Sequence, residues 1–209
     1  MDIVNDHDVS ALIRQDSMFG EIERLYGKPP NWRRSPGFES LCRIILEQQV
    51  SLDAANAHYR KLKGYVGNIS CKNIMALSDA EFRECQISRQ KMIYLRGLAA
   101  AIKNRSLRLR TIAEKSPEEI RGELTKIKGI GNWTTDIYLM FCLQSKDVFP
   151  IGDIAIRKTM SEMTGILEEE EMLERAGSWK PLRSLASYYL WHYYLSSRRK
   201  AFPFNKDVS

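Results

Sequence analysis

Apolar residues return at helical intervals along most of this chain. In SALIRQDSMFGEIERLYG they stand at Leu12, Ile13, Phe19, Ile22 and Leu25, a spacing that keeps them near one helix face. FESLCRIILEQQV repeats the pattern at Phe38, Leu41, Ile44 and Ile45. Between these runs, KPPNWRRSPG carries Pro29, Pro30 and Pro36 and is expected to be a loop. Ser51 is placed to cap an Ala-rich helix, Ser78 with Glu81 has capping-box spacing, and Ser116 precedes Pro117 at a first turn. Further helical runs are SRQKMIYLRGLAAAIKN, GNWTTDIYLMFCLQ, DIAIRKTMSEMTG, EEEEMLERAGSW and KPLRSLASYYLWHYYLSSRR. Strand signals are few: KDVFPIGD is extended at most, because Pro150 cannot donate to a ladder. The pattern predicts an all-α fold of about ten helices, with a fraying tail after Arg199.

The chain has 209 residues, enough to bury a core without disulfide or metal. No window offers the ~18 uncharged apolar residues of a membrane span. The N-terminus lacks the basic start and apolar run of a secretory signal, so an intracellular protein with no membrane partner is expected. Net charge is +6, from 32 Lys+Arg against 26 Asp+Glu. The acidic run ILEEEEMLE segregates charge, so a basic face elsewhere must exceed the net figure, which suits a nucleic-acid partner. Cys42, Cys71, Cys85 and Cys142 are far apart, with no CxxC pair among them. That spacing suits buried, reduced thiols rather than a zinc or iron–sulfur site.

One stretch, LTKIKGIGNWTTDIY, sets Gly129 and Gly131 between two helical runs. Glycine permits positive φ and close backbone approach. The second helix starts at the turn, so its first amides and its dipole favour an anion. Lys126 and Lys128 stand beside them. An ordinary αα-corner would use the same glycines for packing. Downstream, Asp153 follows PIG and opens a helical run, where it could serve simply as an N-cap. YYLWHYY offers Tyr188 and Trp191 on one helical face, and aromatics at that spacing commonly build core.

The extended pattern decides among these readings. L-x-x-I-K-G-I-G-x-W-T resembles the helix–hairpin–helix DNA-binding motif. Followed by PIGD, it resembles the signature of the helix–hairpin–helix-GPD DNA glycosylases, and within them the AlkA-type 3-methyladenine DNA glycosylases. IILEQQVS and WKPLRSLASYYLWHY match further segments of that family, in the same order. The resemblance implies two helical lobes with an active-site cleft between them: about 40–144 with the hairpin, and 1–39 with 145–209 carrying the catalytic loop. It implies Asp153 as the catalytic carboxylate, and Trp133, Trp191 and Tyr188 as base-pocket residues. Gln49 and Val50 take the position of the wedge that fills the gap left by an extruded base, where QQV could otherwise be a solvated helix end. Lys128, Gly129 and Gly131 would bind a DNA phosphate. The carbonyls of Thr125, Ile127 and Ile130 would hold a structural Na⁺ or K⁺, with no cofactor for catalysis and no iron–sulfur cluster.

The implied activity is excision of alkylated purines of the 3-methyladenine and 7-methylguanine type from damaged double-stranded DNA, by a monomer. It would act in the cytoplasm and nucleoid of a prokaryote or the nucleus of a eukaryote. Bifunctional relatives carry a lysine where Trp133 stands, so a monofunctional enzyme that leaves an abasic site is expected. The sequence departs from the family at Glu47, often Gly there, at Gln86, commonly Gly, and at Gly152, often acidic. The rival readings are a glycosylase of this fold with another lesion, a non-catalytic helix–hairpin–helix DNA-binding protein, and a helical interaction protein.

Overall fold

The computed structural model describes residues 2–198, and all its regular elements are helical. Twelve α-helices occur among these residues: α1 Asp6–Gln15, α2 Met18–Tyr26, α3 Phe38–Glu47, α4 Leu52–Val66, α5 Cys71–Ala76, α6 Asp79–Glu84, α7 Arg89–Lys103, α8 Pro117–Leu124, α9 Asn132–Phe141, α10 Ile154–Thr164, α11 Glu169–Gly177 and α12 Arg183–Ser197. A 3₁₀ turn, Ile112–Glu114, lies before α8. The expected fraying after Arg199 lies outside the described residues.

Local chemistry sets most helix starts. The side chains of Ser51, Ser70, Ser78, Ser88 and Ser116 each accept the backbone N–H three residues on. Glu81 and Glu119 complete capping boxes at α6 and α8. Each such cap is worth about 1 kcal/mol.

Two features exceed the periodic reading. The first long run is two helices, because Asp16 breaks it. Its carboxylate accepts the Met18 amide at 3.1 Å, the Arg175 guanidinium at 2.8 Å and the Trp179 indole N–H at 3.1 Å. A side chain that bonds the backbone locally competes with helix continuation. The short helix α5, with six residues, is too brief to show an apolar period.

The chain forms two compact units. One comprises residues up to Arg33 and those from Leu139 onward; the other runs from Arg34 to Tyr138. In the first unit, α12 is buried from Ser184 through Trp191, and α2 and α10 pack against it. Phe19 meets the Trp179 ring edge-on at 5.0 Å and the Tyr189 ring at 5.7 Å. In the second unit, Leu41, Ile44 and Ile45 of α3 are fully buried with Ile74, Phe82, Leu95, Leu98, Ile112 and Leu124.

Cys42, Cys85 and Cys142 are buried and Cys71 is half-buried. Burial pushes the thiols of Cys42, Cys71 and Cys85 upward, which keeps them protonated and unreactive. No described helix is long and apolar enough to cross a membrane.

Candidate active site

The hairpin between α8 and α9 follows from its turn bonds. The Ile127 amide bonds the Leu124 carbonyl and the Ile130 amide bonds the Ile127 carbonyl, both at 3.0 Å. The two glycines differ in what they provide. Gly129 has φ +93°, and a Cβ built on it would fall on the Tyr94 ring, so both conformation and space demand glycine. Gly131 has ordinary φ and open space around it. Its carbonyl accepts the Thr135 amide and hydroxyl, both at 3.0 Å, at the start of α9. Arg121 of α8 reaches over to Asn132 and Asp136 of α9 and fixes the two arms. Lys126, Lys128 and Gly131 are exposed, and Trp133 is half-buried in the first turn of α9.

Residues expected to touch DNA converge within this unit. Gln49, Val50, Thr125, Ile127, Lys128, Gly129, Ile130 and Gly131 line one cavity of about 620 Å³, which His58 and Lys91 also border. Burial foremost, with Lys91 and Lys61, pushes His58 below the usual imidazole range, so it adds no charge to the wall. Gln49 is exposed and holds φ +54°, an uncommon conformation for a residue with a Cβ. Gln86, where the family commonly has glycine, holds φ +60°; the left-handed backbone explains that preference.

The donors expected for a monovalent cation are of the right class, since hard cations take backbone carbonyl oxygens. The Ile127 carbonyl spends one lone pair on the Ile130 amide and has a second to offer.

The other unit carries the carboxylate. The Asp153 amide bonds the Pro150 carbonyl at 2.9 Å, which closes the PIGD turn. Asp153 then caps α10: its Oδ1 accepts the amides of Ala155 at 2.9 Å and Ile156 at 3.3 Å. The same oxygen accepts the Trp191 indole N–H at 3.1 Å. Asp153 is nonetheless half-exposed. Cap and accessible carboxylate are therefore one residue rather than competing readings. Its neighbour Ile154 is 68% exposed, an apolar flank beside a charge.

Trp191 is nearly buried and stacks on Phe141 with ring centroids 5.3 Å apart. Tyr188 has no exposed surface. It stacks on Phe141 at 5.3 Å and donates its hydroxyl to the Trp32 carbonyl at 2.6 Å. In this conformation Tyr188 backs the aromatic cluster and presents no face of its own. Asp147, the other aspartate near the turn, is held bidentately by Arg183 at 2.7 and 2.9 Å.

Several residues of the site were not legible in sequence. Gln48 donates its side-chain amide to the Gly129 carbonyl at 2.7 Å and to the Thr134 hydroxyl at 2.8 Å. Glu47 is buried and takes a bidentate bond from Arg34 at 2.9 and 3.1 Å. Lys91 donates to the Leu46 carbonyl at 2.6 Å. Of these only Glu47 gave a signal, as a charge where the family often has glycine.

A hairpin that admits only glycine at one position, then a tight turn seating an aspartate at a helix N-terminus, defines the helix–hairpin–helix-GPD class. The chain belongs to the HhH-GPD superfamily of base excision DNA repair proteins, whose model matches residues 42–183. It is 32% identical over 161 residues to DNA-3-methyladenine glycosylase 1 of Schizosaccharomyces pombe, covering 74% of this chain and 71% of that protein. Among solved structures it resembles the Schizosaccharomyces pombe 3-methyladenine DNA glycosylase in complex with abasic DNA, with TM-score 0.83, 27% identity and coverage of 92% of this chain and 97% of that one. It also resembles a DNA-3-methyladenine glycosidase from Bacillus halodurans, with TM-score 0.76, 25% identity and coverage of 95% and 94%.

Proposed function

We propose that this chain is a monofunctional DNA glycosylase that extrudes alkylated purines of the 3-methyladenine and 7-methylguanine type from duplex DNA and hydrolyses their N-glycosidic bond. The observation that carries the reading is Asp153: a half-exposed carboxylate fixed by two helix amides and an indole N–H.

An alkylated purine bears positive charge, so its bond to the sugar is already weak. The bonding electron pair leaves with the base and neutralises it. Positive charge then grows on the sugar, where an ionised, pre-oriented carboxylate stabilises it. Water adds to the sugar carbon and loses a proton, and Asp153 is the group that orients or accepts it. The amides of Ala155 and Ile156 and the Trp191 indole N–H hold that carboxylate in one orientation.

Extrusion costs a few kcal/mol, offset by filling the vacated stack with Gln49 and Val50. Trp191 and Trp133 supply rings on which a cationic purine stacks well. Lys128 and the backbone at Gly129 and Gly131 grip a phosphate. The carbonyls of Thr125, Ile127 and Ile130 would hold a Na⁺ or K⁺, which would supply positive charge to attract that phosphate. No lysine stands at position 133 to form a Schiff base, so the product is an intact strand with an abasic site. The enzyme works as a monomer on chromosomal DNA, in nucleoid or nucleus, with no membrane partner.

The test is release of free base from methylated duplex DNA by wild type beside Asp153→Asn. Asn caps a helix as well as Asp, so the variant keeps its fold. Release by wild type alone, with equal DNA binding by both proteins, is the expected result. Release by neither, with salt-dependent binding retained, would turn the reading to another lesion or a binding module.

A further inference from the structure

We propose that Gln48 is a positioning residue that joins the hairpin to the wedge loop, so that gripping the backbone and inserting Gln49 are one mechanical event. The proposal rests on the glycosylase reading with Gln49 as wedge. It deepens that reading by assigning a residue that need not touch the lesion.

The carboxamide of Gln48 spends both its N–H bonds on the hairpin unit: one to the Gly129 carbonyl at 2.7 Å, one to the Thr134 hydroxyl at 2.8 Å. A carbonyl can only accept, so the nitrogen must face Gly129 and the amide has one orientation. Gly129 is itself immobilised from below. The Tyr94 ring lies where its Cβ would be, and the Tyr94 hydroxyl accepts from Gln90 at 2.5 Å. Thr134 is buried in the first turn of α9. Gln48 is thus bolted to a rigid surface rather than to a mobile loop tip.

The other side of the wedge is equally held. The α3 C-terminus, where carbonyls lack helical partners, is fastened by Lys91 to the Leu46 carbonyl and by the buried Arg34–Glu47 pair. Burial, foremost, lowers the Lys91 ammonium's pKa, and Glu47 raises it, which marks how far that amine is drawn from water. Gln49, immediately after, sits at φ +54°. A non-glycine residue keeps such a conformation only where its surroundings over-determine it. Removing Gln48's bonds should let the backbone at 49 relax and the wedge lose its aim, while the exposed lysines of the hairpin still attract phosphate.

The variant is Gln48→Met, close in shape and without hydrogen bonds. The probe is a duplex holding a tetrahydrofuran abasic analogue beside 2-aminopurine, whose fluorescence rises when the stack is opened, with no chemistry required. The expected result is an opening signal that forms about tenfold more slowly, on the scale of the two lost hydrogen bonds, with an unchanged salt slope of binding. In the Gln49→Ala background, Gln48→Met should have no further effect, because it acts through that residue.

Thr134→Val removes one of the two acceptors and should give the same phenotype in weaker form; it serves if Gln48→Met does not fold. A wild-type opening rate in Gln48→Met, an effect that adds in full to Gln49→Ala, or no opening signal from wild type would each overturn the proposal. Base release by wild type is measured in parallel. Its absence with a normal opening signal counts against the glycosylase reading and leaves the coupling standing.

Discussion

The Trp191 indole donates to Asp153 Oδ1 from 3.1 Å, across two helices of one unit. The same ring stacks on Phe141. A tryptophan expected only as a stacking surface thus also sets the direction of the carboxylate. Trp191→Phe keeps an aromatic ring and removes the donor. A hydrogen bond to a charged group is worth about 1.5–3 kcal/mol, so single-turnover base release should fall about 10- to 100-fold. Thermal unfolding and DNA affinity should stay close to wild type. Equal loss of affinity would instead assign Trp191 mainly to substrate binding.

The glycines of the hairpin should respond unequally. Gly129→Ala meets both a positive φ and the Tyr94 ring, and should cost at least about 2 kcal/mol in urea unfolding. Gly131→Ala meets nothing and lies at the N-terminal edge of α9, so its cost should stay below about 1 kcal/mol. Sequence alone presents the two as a matched pair.

That contrast shows where sequence stopped being informative. Helix starts at Ser51, Ser78 and Ser116 were readable because a cap and its partner lie three residues apart. The hairpin and the PIGD turn were readable because each is a contiguous string. The bonds from Gln48 to Gly129 and from Trp191 to Asp153, and the Tyr94 ring lying where a Gly129 Cβ would be, join residues far apart in sequence. No periodicity carries such pairings; they appear only once the helices pack. Asp16 is the same case, a helix break fixed by Arg175 and Trp179 at the opposite end of the chain.

Phosphate contact by the hairpin should appear in salt dependence. Lys128 is exposed beside the turn. Lys128→Gln should weaken binding about equally on damaged and undamaged duplex. It should reduce the slope of log K against log salt by roughly one. A variant that loses affinity only for damaged DNA would remove Lys128 from the backbone-gripping set.

Acid stability should report Asp8. Burial raises its carboxyl, but bonds from Lys146, Asn5 and His7 outweigh that and hold it down at about 2. Because the folded value lies below the unfolded one, the contribution is present above pH ~4 and is lost as pH falls toward 2. Its size is about 2 kcal/mol. Asp8→Asn should flatten the fall in stability over that window, measured as urea midpoint against pH. A curve unchanged from wild type would show that other carboxylates dominate acid unfolding.

The place of Asp153 at the head of α10 has one more consequence. A carboxylate on a free loop would sample several rotamers and would have to be frozen anew in each turnover. Here folding itself does the freezing, because the cap bonds that start the helix are the bonds that aim the oxygen. The entropy of ordering that side chain is therefore lost once, when the protein is made, and in the proposed reaction it would be absent from the activation barrier of each turnover.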